Sequence, residues 1–322
     1  MSSTAETHAA VSYLEVTANA EGQRLDNYLL NHLKGAPKTL IYRIIRKGEV
    51  RINKKRAKAD TRLQTGDQVR IPPIRLAEKA SQTPVGAGLR ELLEGDALLF
   101  ENEAVLVFNK PAGLAVHGGS GVRIGLIEAL RQVRPELTDL ELVHRLDKDT
   151  SGCILLAKSR NALNFLQDQL RQQSMGKFYQ AWVLGNWPAN LQEINAPIDR
   201  VSSPSGERRM KVAEFKEGKA SLTRFKIIKK HQGLTLIEAE PVTGRTHQIR
   251  VHATSAGFPL LGDPKYGNDT INEHFRRAGI SRMFLHARRL EFLDPQTQQR
   301  LSIEAPLDDH WLKVEQIKVG KI

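Results

Sequence analysis

The apolar residues of the chain recur at two periods, one typical of helices and the other of strands. Near the start, helical spacing predicts two short helices over residues 25–33 and 40–47, and Gly48 is placed to end the second. Short strands are predicted next, at 49–53 and 67–72. These elements together predict a small α+β segment.

From about Ala97 the pattern changes to strands separated by short turns. Helices are predicted at 124–133, at 159–173 with Ser159 as N-cap, and at 308–317. The segment 199–218 is polar and basic and predicts a long hairpin or loop. The predicted strands are 98–100, 105–108, 142–143, 153–157, 177–183, 223–228, 234–239, 245–252, 285–287 and 301–306.

A polar stretch over residues 144–152, HRLDKDTSG, lies between two apolar runs. Both flanks are typical of a protein core, so the ionisable groups are expected at the mouth of a sheet, where burial and neighbouring charges act most strongly. Asp, Thr, Ser and Gly are also ordinary turn formers, and Asp147 or Asp149 would serve equally well in an Asx-turn.

The chain has 322 residues with a net charge of +12, and 40% of its residues are hydrophobic, which favours about two domains with buried cores. Between Arg24 and Arg75 there are 14 Lys and Arg residues against 4 Asp and Glu residues. Such an excess indicates a polyanionic partner, with nucleic acid ahead of an acidic membrane. The alternative is a basic, solvated surface without a partner.

Several classes of protein are disfavoured by what the sequence lacks. No apolar run reaches the ~18 residues of a membrane span, and the first residues do not have the layout of a signal peptide, so the cytoplasm is expected. The single Cys153 rules out an internal disulfide framework and a multi-cysteine metal site. His247 and His252 are not placed as a zinc helix pair would be, and no carboxylate cluster accompanies them, so we expect these two, His144 and His286 to be structural or to contact nucleic acid.

Three segments carry a resemblance to a known family. HRLDKDTSG at 144–152, KFYQA at 177–181 and GRTHQIRVH at 244–252 resemble, in that order, the pseudouridine synthases that act on large ribosomal RNA and on some tRNA. The segment LLFENEAVLVFNKPAGLAVH resembles the start of their catalytic domain. The earlier segment RLDNYLLNHLKGAPKTLIYRIIRKGEVRINKKR resembles the S4 RNA-binding domain.

The resemblance implies a site and its chemistry. Asp147 matches the catalytic aspartate of the family, Arg250 matches the arginine that pairs with it, and Tyr179 matches the tyrosine that stacks under the base and is a candidate for proton transfer. Arg145 either fills the gap left by an extruded base or contacts phosphate. The reaction needs no cofactor and no metal. The expected RNA-binding residues are His144, Arg145, Thr150, Arg245, His247, Lys38, Arg43, Arg46, Lys47, Lys54, Lys55 and Arg56.

The resemblance also implies the architecture. We expect an α+β protein with a mixed, mainly antiparallel sheet and flanking helices, preceded by a small α+β S4-like domain. The predicted bounds are a disordered tail at 1–12, the S4-like domain at 13–76, a linker at 77–96 and the catalytic domain at 97–318. The expected function is isomerisation of specific uridines, several of them, in 23S rRNA by a monomer. A non-catalytic RNA-binding or ribosome assembly protein, and the same chemistry on tRNA, remain alternatives.

Overall fold

The computed structural model describes residues 7, 8, 10–33, 36–75, 83–119, 122, 124–202, 208–213 and 218–316. The chain divides into two compact units, unit 1 at Met1–Pro84 and unit 2 at Val85–Ile322. Parts of the predicted tail, linker and last helix fall on 1–6, 76–82 and 317–322, outside the described residues. Within the described ranges, no helix has both the length and the apolar character needed to cross a bilayer.

Unit 1 combines two helices with short antiparallel strands, as the sequence predicted. In its described residues, four strands form a sheet in the order β2-β5-β3-β4, and β1 pairs with β6. Thr7 and His8 therefore pair within the range predicted as a tail. The elements are β1 (Thr7–His8), β2 (Ser12–Glu15), α1 (Leu25–His32), α2 (Lys38–Arg46), β3 (Arg51–Ile52), β4 (Lys55–Arg56), β5 (Gln68–Ile71) and β6 (Ile74–Arg75).

Helix α2 shows why this unit holds together. Ile41, Ile44 and Ile45 are buried at helical spacing, while Arg43 and Arg46 are exposed on the other side. The buried side packs into a core that also includes side chains of α1 and the sheet. Apolar burial thus fixes the helix and leaves its basic side open to solvent.

Unit 2 is the larger unit and is rich in strands. Its helices are α3 (Ala87–Glu94), α4 (Leu126–Val133), α5 (Arg160–Arg171), α6 (Gln248–Ser255), α7 (Asp269–Arg277) and α8 (Asp309–Val314). Its strands are β7 (Leu98–Glu101), β8 (Val105–Lys110), β9 (Glu141–Leu142), β10 (Ser151–Ala157), β11 (Gly176–Leu184), β12 (Glu193–Asn195), β13 (Ile198–Ser202), β14 (Arg208–Val212), β15 (Leu222–His231), β16 (Leu234–Pro241), β17 (Leu285–Leu293) and β18 (Arg300–Glu304).

Ten of the described strands form one mixed, mainly antiparallel sheet, which confirms the predicted fold class. The order is β12-β15-β16-β11-β17-β10-β8-β7, with β18 beside β17 and β9 beside β10. Strand β10 runs parallel to β17 and antiparallel to β8. Every residue of β10 is buried, because α4 and α5 contribute side chains to the core around it. The predicted strands at 98–100 and 105–108 are present as β7 and β8, which pair as an antiparallel hairpin.

One element departs from the prediction. Residues 245–252 were predicted as a strand, but the segment from Gln248 to Ser255 is the helix α6. Ile249, Val251 and Ala253 alternate as in a strand, and all three are buried because α6 is surrounded by protein on several sides. The side chain of Gln248 holds the turn that leads into this helix, since its Oε1 accepts from the backbone N–H of Arg245 over 3.0 Å.

Candidate active site

Asp147 lies in the turn that leads into the buried strand β10. The turn closes on itself, since the N–H of Thr150 donates to the carbonyl of Asp147 over 3.2 Å. Gly152 comes next with a φ of +106°, and a Cβ there would overlap the backbone of Ala287 on β17. A glycine at this position therefore lets β10 and β17 approach closely just behind the turn.

Lys110 stabilises the same turn by a hydrogen bond to the backbone of Lys148. Its side chain is fully buried, and its Nζ donates to the carbonyls of Pro111, Leu114 and Lys148 over 2.9, 2.8 and 3.0 Å. Three acceptors match the three N–H bonds of an ammonium group. Burial lowers the pKa of Lys110 to about 7, while the charges of Asp149 and Asp147 oppose that shift.

Arg250 joins two carboxylates. Its Nη1 donates to Oδ2 of Asp147 over 3.2 Å, and its Nε and Nη2 donate to the two oxygens of Asp263 over 2.7 and 2.8 Å. The side chain of Asp147 is 20% exposed, whereas Asp263 is fully buried. Burial alone would lower the pKa of Arg250, but hydrogen bonds and charges of the two aspartates raise it above its ordinary value.

Asp263 is the structural partner of this arginine. It also accepts from the backbone N–H groups of Lys265 and Tyr266, over 2.8 and 3.0 Å. Burial would raise the pKa of Asp263, but the hydrogen bond and charge of Arg250 lower it below its ordinary value. The bidentate pair keeps both groups ionised and fixes the guanidinium in one orientation.

His247 approaches Asp147 from the start of α6. It has a φ of +57°, its Nε2 lies 3.7 Å from Oδ2 of Asp147, and its Nδ1 lies 2.8 Å from the hydroxyl of Tyr266. A carboxylate facing Nε2 favours the tautomer that carries its proton there, and Nδ1 then accepts from Tyr266. Burial lowers the pKa of His247, and the charge of Asp147 opposes this.

A cleft of about 500 Å³ opens beside Asp147. Tyr179 on β11 lines it, and burial, followed by the negative charge of Asp147, raises the pKa of its phenol. A cavity of this size accommodates a nucleotide base with part of its sugar. All eight residues predicted for unit 2 line this one cleft: His144, Arg145, Asp147, Thr150, Tyr179, Arg245, His247 and Arg250.

The cleft residues differ in exposure. Arg145 and Arg245 are exposed, and Arg245 Nε donates to the carbonyl of Ala220 over 3.1 Å. Thr150 is only 2% exposed. His144 Nε2 accepts from the N–H of Leu155, and burial lowers its pKa to about 4, so the imidazole is neutral at pH 7. Arg145 and Arg245 are therefore the solvent-exposed cations among the predicted cleft residues.

The chain is similar to known proteins over most of its length. Residues 104–255 match a family model described as RNA pseudouridylate synthase, and residues 23–69 match an S4 domain. A Pasteurella multocida protein, "Ribosomal large subunit pseudouridine synthase C", is 49% identical over 306 residues, covering 95% of this chain and 93% of that one. The Yersinia pestis protein of that name is 51% identical over 300 residues, covering 93% of each.

This chain belongs to the RNA pseudouridylate synthase family. The prediction from its three motifs is confirmed, and so is the expectation of an isomerase that converts uridine in RNA to pseudouridine. Nothing in the comparisons favours a non-catalytic protein. The solved structure "Human RNA Pseudouridylate Synthase Domain Containing 1" shares the fold, with a TM-score of 0.55 at 24% identity, over 70% of this chain and 86% of that one.

In this pseudouridylate synthase, sequence reasoning missed three groups around Asp147. Asp263 and Tyr266 lie in the segment 261–267, and Lys110 is the last residue of β8; the motifs assigned none of the three to the site. An acid, a base and an aromatic residue within DPKYG were the signal for the first two. Lys177 also lines the cleft, and burial lowers its pKa.

The remaining predicted RNA-binding residues lie in unit 1. All of them are exposed, on or next to α2 or on the β3–β4 hairpin. The hairpin turn is formed by Asn53 and Lys54, both with positive φ. These residues are Lys38, Arg43, Arg46, Lys47, Lys54, Lys55 and Arg56.

In the part of the chain that is described, no three His, Cys, Asp or Glu side chains are grouped to hold an ion. His252 is instead buried between Thr223, 2.9 Å from its Nδ1, and the carbonyl of Ala196, 3.0 Å from its Nε2. Burial raises the pKa of the Cys153 thiol to about 12. Both residues therefore belong to the core.

Proposed function

We propose that this enzyme isomerises specific uridines, several of them, in 23S rRNA of the large ribosomal subunit, with Asp147 as the catalytic residue. The observation that carries the proposal is the 3.2 Å contact between Arg250 and Asp147 at a cleft lined by Tyr179. The names of the relatives support large-subunit RNA as the substrate. We further propose that the enzyme acts as a monomer in the cytoplasm.

The reaction rearranges bonds without changing the atoms of the substrate. The bond from N1 of uracil to C1′ of the sugar breaks, the base turns within the cleft, and C5 bonds to C1′. N1 gains a proton while C5 loses one, so no oxidant, reductant or donor group is consumed. Asp147 starts this sequence as a nucleophile or base, which is a role suited to a partly exposed carboxylate.

Arg250 positions Asp147 for that role. Its Nε and Nη2 are occupied by Asp263, so Nη1 is aimed at Asp147 before any RNA binds. A rigid guanidinium offsets the charge of the carboxylate without a change of geometry during the reaction. Only one hydrogen bond from Arg250 to Asp147 is present, and it goes to Oδ2, so Arg250 does not occupy Oδ1.

Tyr179 has two roles: its ring stacks on the face of the base, and its hydroxyl accepts the proton that leaves C5. Its raised pKa keeps the phenol protonated. A protonated phenol transfers a proton by releasing its own as it accepts another, so we assign Tyr179 a relay role. The ring itself provides a surface for stacking.

The rim residues hold the extruded nucleotide and its neighbours. Arg145 is exposed beside Asp147 and is placed to fill the gap left in the RNA or to contact phosphate. Arg245, His247, His144 and Thr150 line the same cleft and supply hydrogen bonds to the flipped nucleotide.

Unit 1 supplies affinity through the exposed basic residues on or next to α2 and on the β3–β4 hairpin. We propose an S4-like RNA-binding domain at 13–76, a linker at 77–96 and a catalytic domain at 97–318, after a tail at 1–12. The match of residues 23–69 to an S4 domain supports the first of these. The tail and linker bounds are proposed from the sequence pattern.

The test is to incubate the full chain separately with transcripts of 23S rRNA, 16S rRNA and tRNA, and to map pseudouridine in each. We expect new pseudouridines at a few positions of 23S rRNA and none in the other two. Modification of tRNA alone would show that the substrate is tRNA and not 23S rRNA. No pseudouridine in any transcript, from a folded protein that binds RNA, would contradict the proposed reaction.

A further inference from the structure

A row of four side chains crosses the sheet of unit 1. Tyr13 on β2 is the register partner of Arg70 on β5, Arg70 of Arg51 on β3, and Arg51 of Arg56 on β4. Direct partners on neighbouring strands share a face of the sheet. The neighbouring residues Val69 and Ile52 point to the buried core, so this cross-strand row (Tyr13, Arg70, Arg51 and Arg56) lies on the outer face.

The three arginines are held in place by backbone carbonyls at the end of α2. The carboxyl end of a helix carries partial negative charge and unpaired carbonyls, which favour cations. Each guanidinium has five N–H donors and makes a single such bond here, so further donors face outward. Arg56 Nη2 donates to Lys47 O over 3.3 Å, Arg51 Nε to Gly48 O over 3.3 Å, and Arg70 Nη1 to Glu49 O over 2.6 Å.

Gly48 makes room for this arrangement. It has a φ of +71°, and a Cβ at this position would overlap the guanidinium of Arg56. The glycine therefore serves two purposes: it ends α2 and it lets Arg56 lie flat against the turn.

The row concentrates positive charge without a matching acid. Among the residues that the structure describes, no carboxylate forms an ion pair with Arg51, Arg56 or Arg70. The carboxylate of Glu15, on the same face, lies 3.5 Å from Gln68 Nε2, and that of Glu49 lies 3.9 Å from Lys47 Nζ. Like charges directly opposite each other in a sheet are destabilising, so the row costs stability unless an anion covers it.

Tyr13 ends the row with an exposed ring. Its side chain is 61% exposed, beside Arg70. Exposed aromatic rings next to arginines are what an unpaired RNA base stacks on, and planar guanidiniums bind phosphate oxygens. An acidic peptide would match the charges but would leave the ring without a function.

We propose that the cross-strand row is a second RNA-binding surface of unit 1, which shares Arg56 with the RNA-binding residues predicted from the sequence but is otherwise separate from those of α2 and from Lys54 and Lys55. Phosphates of one RNA strand lie along the three arginines, over roughly 10 Å between the outer two, and an unpaired base stacks on Tyr13. The inference rests on the proposed function because it takes the RNA substrate as the partner.

The test measures binding of the full chain to a 23S rRNA transcript and to a short oligouridine over a series of salt concentrations. Five variants are compared with wild type: Arg51→Gln/Arg70→Gln, Arg51→Lys/Arg70→Lys, Tyr13→Ala, Tyr13→Phe and, as matched control, Arg62→Gln. Arg62 is exposed in the same unit and also donates to a carbonyl, that of Gly22 over 2.8 Å, but lies outside the row.

We expect the double variant to bind both RNAs about tenfold or more weakly, with the slope of log K against log salt reduced by about one for each arginine. Tyr13→Ala should weaken binding about tenfold with little change of slope, whereas Tyr13→Phe keeps the wild-type Kd. Arg51→Lys/Arg70→Lys keeps the charge and should keep most of the slope. Arg62→Gln should change Kd less than about twofold.

Two outcomes separate this inference from the proposed reaction. If the wild type forms pseudouridine while the row variants bind and react like Arg62→Gln, the surface is wrong and the reaction stands. If the wild type forms none while the row variants still lose binding, the reaction is wrong and the surface stands. Should the arginine double variant not fold, Tyr13→Ala decides, since its side chain projects into solvent.

Discussion

Arg250 lies 3.2 Å from the carboxylate of Asp147 and reaches it with the one terminal nitrogen that Asp263 does not hold. The pairing that the motifs predicted thus depends on a third residue that they did not reveal. Arg250 and Asp263 are almost completely buried, whereas Asp147 lies at the edge of solvent. The buried pair of Arg250 and Asp263 is therefore a fixed support, and it holds the partly exposed carboxylate of Asp147 in place.

Replacing Arg250 with Met should both destabilise and inactivate the enzyme. The substitution leaves the buried carboxylate of Asp263 without its partner, and the loss is expected to be about 3–5 kcal/mol of unfolding free energy. The measurement is urea unfolding together with pseudouridine formation. Arg245→Met is the control, because Arg245 is exposed and its loss should change stability by less than about 0.5 kcal/mol. An active Arg250→Met variant of normal stability would contradict the pairing.

Tyr179→Phe should keep the fold and the affinity for RNA but lose the reaction. The substitution keeps the ring and removes only the hydroxyl, so we expect kcat to fall about 10²- to 10⁴-fold with little change in KM. Steady-state assays on a 23S rRNA transcript provide both values, and thermal unfolding serves as the check on the fold. Wild-type kcat in Tyr179→Phe would remove the hydroxyl from the mechanism and leave Tyr179 as a stacking surface.

The stability of the protein should fall as the pH drops from about 6.5 to about 4. His286 is buried, its Nδ1 lies 2.8 Å from Ser151 Oγ and its Nε2 lies 3.2 Å from the carbonyl of Ala305. Because Arg282 donates to Ser151, the serine proton goes to Nδ1, and the ring is neutral with its own proton on Nε2. Burial lowers its pKa to about 4.

The sign of the effect follows from these pKa values. The unfolded chain binds a proton on this histidine below about pH 6.5, whereas the native state does so only near pH 4, so acid favours unfolding. At about pH 5 the expected loss from His286 is roughly 2 kcal/mol. Urea unfolding at about pH 7 and about pH 5 measures it. His286→Gln should reduce the pH dependence, and an unchanged pH dependence in this variant would refute the assignment.

The sequence predicted correctly those elements whose local residue pattern favours the same structure as their burial in the folded protein. The apolar run of β10 gave a strand that is buried along its whole length, and Ser159 caps α5 as expected, since its Oγ accepts from the N–H of Ala162 over 3.2 Å. In both cases local preference and tertiary environment favour the same structure. The three family motifs also placed eight residues on one cleft. Each motif lies within one local structure, namely the turn before β10, strand β11 and the start of α6.

The parts that could not be predicted depend on contacts distant in the chain. Helix α6 has a strand-like alternation of Ile249 and Val251, and only packing on several sides makes it a helix. In the sequence, Asp263 is an ordinary turn residue, and its role depends on Arg250, which contacts it only in the folded chain. Lys110 would be expected at the surface, and it is buried because the folded chain surrounds its amine with three carbonyls.

The central claim is that one carboxylate, that of Asp147, carries the chemistry. The most direct measurement compares Asp147→Asn with Asp149→Asn, two residues apart in the same turn, for pseudouridine formation and for RNA binding. We predict that Asp147→Asn loses at least about a thousandfold in rate while its Kd for the 23S rRNA transcript stays within a few fold of wild type, and that Asp149→Asn remains active. Substantial pseudouridine formation by Asp147→Asn would contradict the account.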